Sequence, residues 1–294
     1  MDETTERYSI AGGGLQATIL AQGAELCSLR DANAGEMLWQ AGPAWPRHAP
    51  VLFPIVGKLQ DDTLIHNGVA HRLTQHGFAR DFRYRCAAQG ASFCTLELVD
   101  DAATRAMYPF AFRFALTFRI VEGWLEVVHE ATNTGDAVLP VNMGGHPAFR
   151  WPLADGVPKS AHILTFSDAE TAPLPRIQSG LLGPAVEPSP IVDRVLKLDD
   201  AVFARDALVL TRAQSRSVRF TAPGAPGIEM QWSGFPAFGV WMRPPGEFLC
   251  LEPWHGTASP VGWQGEFADK PGMALLAPGE TLEAMYRVRV LAKE

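Results

Sequence analysis

An all-β fold, a large antiparallel β-sandwich, is what this 294-residue sequence predicts, on three observations. Apolar residues occupy every second position from Phe110 to Ile120, the period of a strand with one face in a core. Further short apolar stretches recur at a spacing of roughly ten residues, separated by Gly, Pro, Asn and Asp, as in a sandwich. No helical period runs longer than two turns.

Taken in order, residues 15–20 and 25–29 read as two short strands. Gly12-Gly13-Gly14 precedes them and Gln22-Gly23 separates them. Residues 45–59 are apolar but carry Pro46, Pro50 and Pro54, which argue against both a helix and a central strand. Such a loop is expected to lie across the end of a sheet, where function often resides. Residues 64–73 form a hairpin with Asn67-Gly68 at its turn, and the polar run 74–81 follows. Residues 82–87 and 92–99 pair around Gln89-Gly90, and 100–107 makes a turn or two of helix ahead of Pro109. The strand ending at Ile120 turns at Glu122-Gly123 into another over 124–131. Asn133-Thr134-Gly135-Asp136 then turns the chain into the segment around His146. Residues 155–190 read as long loops with one strand over 161–166. Strands resume at 207–210, 217–221, 227–232, 238–242 and 248–251, and the last covers 281–291. With no repeat, low-complexity run or linker, residues 1–294 are expected to form a single domain.

The formal net charge is −7 and Lys and Arg are nowhere clustered, so a nucleic-acid footprint is absent. A neutral, polyol-like ligand fits this balance. Cys27, Cys86, Cys94 and Cys250 make no CxxC pair and lie in strand-like runs. They read as buried free thiols in a reducing compartment, with a Cys86–Cys94 bridge possible but not required. Residues 1–7 are polar with no apolar run behind them, and no stretch reaches membrane-span length, so a cytoplasmic protein without membrane partners is expected.

Three segments end an apolar run with a polar residue followed by Gly or Pro, and they hold His76, His146 and Glu252. Gly144-Gly145 lets other groups approach the backbone before His146, and Pro147 pushes that histidine out of helical geometry. Glu252 closes the run Phe248-Leu249-Cys250-Leu251 and needs a cation, a hydrogen-bonding partner or a ligand, because an unpaired buried carboxylate is costly. His76, His146, His255 and Glu252 are metal-ligand types, but none shows HxxxH or HxH spacing, so no metal is expected. There is no GxSxG nucleophile elbow and no phosphate-cradling glycine loop.

Five motifs, in order along most of the chain, carry a family resemblance. They are residues 49–59 (APVLFPIVGKL), 75–81 (QHGFARD), 108–110 (YPF), 144–149 (GGHPAF) and 251–256 (LEPWHG). The chain resembles the aldose 1-epimerase (galactose mutarotase) family, in its LacX-like bacterial branch. The resemblance implies a β-supersandwich with a concave sugar site, His146 as general acid, Glu252 as general base and His76 as a sugar contact. Lys58 stands where many relatives carry an arginine, keeping the charge without the bidentate fork. Gln75 and Arg80, and with them Arg47, resemble ligand contacts of the hexose-6-phosphate branch. Asp206 falls near an acidic residue that binds sugar hydroxyls. The chain departs from the sugar-mutarotase form after the histidine, with Pro-Ala-Phe-Arg in place of Tyr-Phe-Asn.

The chemistry fits these residues independently. Anomer exchange removes a proton from the C1 hydroxyl and delivers one to the ring oxygen, and one acid and one base suffice without a cofactor. The Glu252 carboxylate is expected to favour a protonated His146. Trp45, Phe149, Trp241 and Trp254 are candidates for the apolar face of a pyranose, with Trp241 expected in the core. The leading expectation is an aldose 1-epimerase acting on a hexose, as monomer or homodimer. A hexose-6-phosphate 1-epimerase and a non-catalytic carbohydrate-binding protein are the alternatives.

Overall fold

The computed structural model describes residues 6–293; residues 1–5 of the polar N-terminal run, and Glu294, lie outside them. Two sheets form the sandwich. The larger has nine strands, in the order Val195–Lys197, Ile163–Phe166, Ser217–Thr221, Gly227–Ser233, Thr281–Leu291, Trp124–Asn133, Phe112–Val121, Phe93–Val99 and Arg85–Gln89. Every pairing in it is antiparallel. The second sheet has six strands: Leu208–Leu210, Ala237–Trp241, Phe248–His255, Met143–Gly145 and Val51–Leu52, with Ala148–Arg150 on the edge of Phe248–His255.

Aromatic side chains hold the two sheets together. Phe53 stacks on Phe114 with ring centroids 4.2 Å apart, and Trp232 stacks on Phe238 at 4.3 Å. Phe112, Phe114, Leu116 and Phe118, from the alternating run, are all buried, as the period requires. A rigid two-layer core of this kind gives the loops at its rim a fixed platform.

Most elements fall where the sequence places them. The Asn67-Gly68 hairpin joins Thr63–His66 to Val69–Arg72. The short helix is Ala102–Met107, started by a capping box between Asp101 and Thr104. Three differences have physical causes. An additional strand, Arg7–Gly12, pairs with Leu15–Leu20 across the triple-glycine turn, burying Tyr8 and Ile10. The presumed loops over 155–190 contain a hairpin, Leu174–Gln178 with Leu181–Glu187, whose alternation Pro175 and Pro184 obscure. Strand Phe248–His255 does not stop at Glu252 but runs on through Pro253. All four cysteines are free, and Cys86 is only half-buried. Among the described residues no helix is long and apolar enough to cross a membrane.

Candidate active site

Strand register brings His146 to Glu252. Strand Phe248–His255 pairs along one edge with Ala237–Trp241, where Gly239 lies opposite Glu252. Along its other edge it meets two short pieces. Gly144 lies opposite Trp254, and Ala148 lies opposite Cys250. The two ladders keep one register across the gap between them, which sets His146 directly across from Glu252. Cross-strand neighbours on one face are close enough to touch. The gap itself follows from proline chemistry: Pro253 and Pro147 both lack the N–H a ladder needs. Within the gap the Leu251 N–H donates to the Pro147 carbonyl at 3.1 Å.

The result is a His146 Nε2 to Glu252 Oε2 separation of 3.2 Å, with the two residues 7% and 1% exposed. The contact is close but not aligned as a hydrogen bond, and Glu252 Oε2 has no hydrogen-bond partner. Gly145 supports the arrangement from below, since a Cβ there would lie 2.7 Å from the Tyr286 ring. The His146 ring stacks on Trp45 at 5.0 Å and meets the Trp241 and His76 rings edge-on, each at 5.7 Å.

Burial decides the protonation of this pair. It pushes the His146 imidazole down to about 3, with the Arg80 and Arg47 charges adding to the effect. It pushes the Glu252 carboxyl well above the usual range. The Trp254 indole N–H, near but outside hydrogen-bonding geometry, opposes that shift, and Asp206 adds to it. Burial thus works against the expected imidazolium–carboxylate pair and favours a neutral imidazole facing a neutral carboxyl. Both arrangements hold the same number of protons and differ only in where one of them sits.

The pair lies in a cavity of about 430 Å³, within the range of small-ligand sites. His76, Lys58, Gln75, Arg80 and Asp206 line it with them, so seven of the eight sequence-predicted residues share one hollow. Arg47 is the exception: it pairs with Asp81 at 2.6 Å and points to the Arg80 carbonyl at 3.5 Å, behind Arg80 rather than in the lining. Trp45, Trp241 and Trp254 line the cavity, whereas Phe149 is buried in the core. Trp241 was expected to be core packing. It is half-buried at the cavity wall, because its strand ends there.

His76 is held in one tautomer. The Gly57 backbone N–H donates to its Nδ1 at 3.2 Å, so the ring proton of the neutral form is on Nε2. Burial and the neighbouring His146, Arg80 and Arg47 keep the ring neutral, with its pKa well below the usual value. Gln75 lies 3.3 Å from Nε2, which suits its carbonyl oxygen as acceptor. His76 has a φ of 66°, in the left-handed region. Gly77 follows at φ 72°, where a Cβ would lie 2.1 Å from the Phe53 carbonyl oxygen. Asp206, on the opposite wall, also has a positive φ, 78°.

Sequence reasoning missed Ser179, Gly180 and Arg243 in the lining. Ser179-Gly180 is the tip of the missed hairpin, and a Ser-Gly dipeptide between two apolar runs is itself a turn signal. Arg243 carried no local signal. Its guanidinium makes no ion pair among the described residues. Lys270 was also unanticipated. It is buried, hydrogen-bonds to the Thr257 carbonyl at 2.6 Å and to Asn142 Oδ1 at 3.2 Å, and burial pushes it down to about 8. It thereby ties the chain ahead of His146 to the chain beyond Glu252.

The fold and cavity together define a galactose mutarotase-like β-sandwich, and comparison with known proteins agrees. The structure superposes on that of a galactose mutarotase related enzyme from Lactobacillus acidophilus with a TM-score of 0.91, at 28% identity and covering 98% of each chain. A galactose mutarotase-like protein from Lactobacillus casei shares the fold, with a TM-score of 0.90 at 24% identity over 97% of this chain and 100% of that one. Among curated proteins, the plasmid-encoded protein LacX of Lactococcus lactis subsp. lactis is 28% identical over 282 residues, 92% of this chain and 94% of its own. The aldose 1-epimerase family model matches residues 6–288, and the chain belongs to that family.

Proposed function

We propose that this protein is an aldose 1-epimerase that interconverts the α- and β-anomers of a hexose, with His146 as general acid and Glu252 as general base. The observation that carries this is the registered His146–Glu252 pair, 3.2 Å apart inside a cavity. As a sugar enters, its hydroxyls replace the lost hydration of the pair. The proton passes from Glu252 to His146 with no change in net protonation. Glu252 then takes the C1 hydroxyl proton while His146 delivers one to the ring oxygen, and the C1–O5 bond breaks. Rotation about C1–C2 and closure with the roles reversed give the other anomer.

His76 presents a fixed Nε2–H, which donates to a sugar hydroxyl in place of the Gln75 carbonyl. Lys58, Gln75, Arg80 and Asp206 read hydroxyls or a substituent, and Arg47 acts on the ligand only through Arg80 and Asp81. The indoles of Trp45, Trp241 and Trp254 offer an apolar face to the ring. The unpaired thiols fit a reducing compartment.

Polarimetry, or NMR exchange, on freshly dissolved α-glucose and α-galactose tests this directly. The wild type should speed exchange, and Glu252→Gln should slow it by about 10²–10⁴-fold. Equal behaviour of the two on every aldose would sink the proposal.

One observation favours a phosphorylated hexose as an alternative substrate. Lys58, Arg80 and Arg243 line the cavity of a protein whose formal net charge is −7. A higher kcat/KM on glucose 6-phosphate than on glucose, lost in Arg80→Ala and Arg243→Ala, would select this substrate. Equal rates unaffected by either substitution would remove it.

A further inference from the structure

The acid–base pair has a third neighbour that the exchange chemistry does not use. Alternation along strand Phe248–His255 puts Cys250 on the same face as Glu252. Register puts Cys250 opposite Ala148, two residues beyond His146. The ligating atoms of His146, Cys250 and Glu252 all lie within 4.8 Å of one another. All three residues are buried. The Cys250 thiol is free, and Glu252 Oε2 is a fully enclosed acceptor without a partner.

We propose that His146, Cys250 and Glu252 form a binding site for one thiophilic divalent cation of the zinc type, and that occupancy of this site arrests anomer exchange. The donor set is one imidazole nitrogen, one sulfur and one carboxylate oxygen. It suits Zn²⁺, which takes mixed N, S and O ligands in fours, and not Mg²⁺ or Ca²⁺, which require six or more oxygens. In a tetrahedral zinc site neighbouring ligand atoms are about 3.5 Å apart, as follows from metal–ligand bonds of about 2.0–2.3 Å. The 3.2 Å between Nε2 and Oε2 is already near that length, and the widest separation needs to close by about an ångström, within reach of side-chain rotation.

His146 binds as the neutral ring through Nε2, with its proton on Nδ1. The thiol and carboxyl protons leave to solvent as the metal enters. A fourth ligand, water or a sugar hydroxyl, would come from the cavity, which His146 and Glu252 line. Inhibition follows because the metal occupies the same Nε2 and Oε2 lone pairs that move protons. The inhibitory half rests on the epimerase reading above; the binding half does not.

Co²⁺ separates the two, because it reports its own ligands. Titration of the full-length protein with CoCl₂ should give tetrahedral d–d bands and a thiolate-to-cobalt charge-transfer band saturating at one equivalent, both displaced by ZnCl₂. Cys250→Ala should abolish the charge-transfer band while keeping wild-type exchange. It should also raise the ZnCl₂ concentration for half-inhibition by at least about tenfold. His146→Gln, which keeps the cysteine, should likewise lose the tetrahedral spectrum, and it provides the test should Cys250→Ala fail to fold. A wild-type protein with no charge-transfer band, or a band unchanged in both variants, overturns the site. Metal bound at the site with exchange undiminished overturns the inhibition alone. Absence of exchange with a normal cobalt spectrum would instead overturn the epimerase reading.

Discussion

The two sheets treat a buried glutamate in opposite ways. On the nine-stranded sheet Glu97, Glu126 and Glu229 are buried, and each is met by two arginines from neighbouring strands: Arg85 and Arg113, Arg119 and Arg287, Arg219 and Arg289. Arg287 and Arg289 also flank the Trp124 ring, at 4.4 and 4.6 Å. For Glu229, burial pushes the carboxyl up. The hydrogen bonds from Arg289 and Gln231 and the Arg289 and Arg219 charges outweigh it and hold the group below its ordinary value. On the six-stranded sheet Glu252 is buried more completely, has no arginine against it, and is pushed well above the ordinary value. One sheet neutralises its carboxylates with partners; the other leaves one without a cation, where burial favours its protonated form. The histidines add a control. His129, set among Phe114, Phe235 and Tyr286 in the core, is pushed down to about 3 by burial just as His146 is. A depressed imidazole alone does not mark a site; the facing carboxyl and the cavity do.

The largest effect that would break this contrast is catalytic. Glu252→Gln should slow exchange by about 10²–10⁴-fold, while Glu229→Gln should leave the rate unchanged. Comparable losses in both would mean that the two carboxylates are not functionally distinct. Next in size is backbone strain. Gly77→Ala should destabilise by about 2–4 kcal/mol in urea unfolding, from left-handed strain plus the clash with Phe53. Gly123→Ala, at a turn of the nine-stranded sheet with φ 77° and open space around it, should cost about 1 kcal/mol. Equal costs would deny that the cavity loop is the tighter of the two.

Smaller effects lie in the pH dependence of stability. Glu229 has a lowered folded pKa. Its stabilisation, about 1 kcal/mol given its half-exposed arginine partner, is present above the unfolded value near 4.5 and lost as pH falls through the folded one. Glu252 has a raised folded pKa, so it weakens the fold increasingly as pH rises above 4.5, and Glu252→Gln should be more stable than wild type at neutral pH. Denaturation midpoints of both variants across pH 4–8 should therefore diverge from wild type in opposite directions. The smallest expected change is in the pH–rate profile. A pair that takes up a second proton only near pH 3 gives kcat/KM no acid limb at the ordinary histidine value of 6.5. A limb at 6.5 would mean that His146 is solvated when it works.

Much of this was legible in the residues alone. The Phe110–Ile120 alternation specified a strand because side chains on a strand have a period of two. Asn67-Gly68 specified a hairpin because its backbone demands fit those residues. His146 and Glu252 stood out because glycine, proline and an apolar strand are costly surroundings for polar groups chosen only for packing. Ser179-Gly180 escaped notice because prolines broke the alternation of its strands, and Arg243 because a strand-end arginine has no local pattern. Protonation was legible only in part for a related reason: the attraction between His146 and Glu252 is a pairwise effect that residue types suggest, whereas desolvation, which opposes it, depends on how much protein surrounds them. The amino-acid sequence by itself thus determined the strands, the turns and the identity of the chemical groups, since these follow from neighbours along the chain. Only the tertiary structure decided that one shared register across a proline gap sets His146 opposite Glu252, with Cys250 beside them, because pairing between segments a hundred residues apart is fixed by the packing of the whole sandwich.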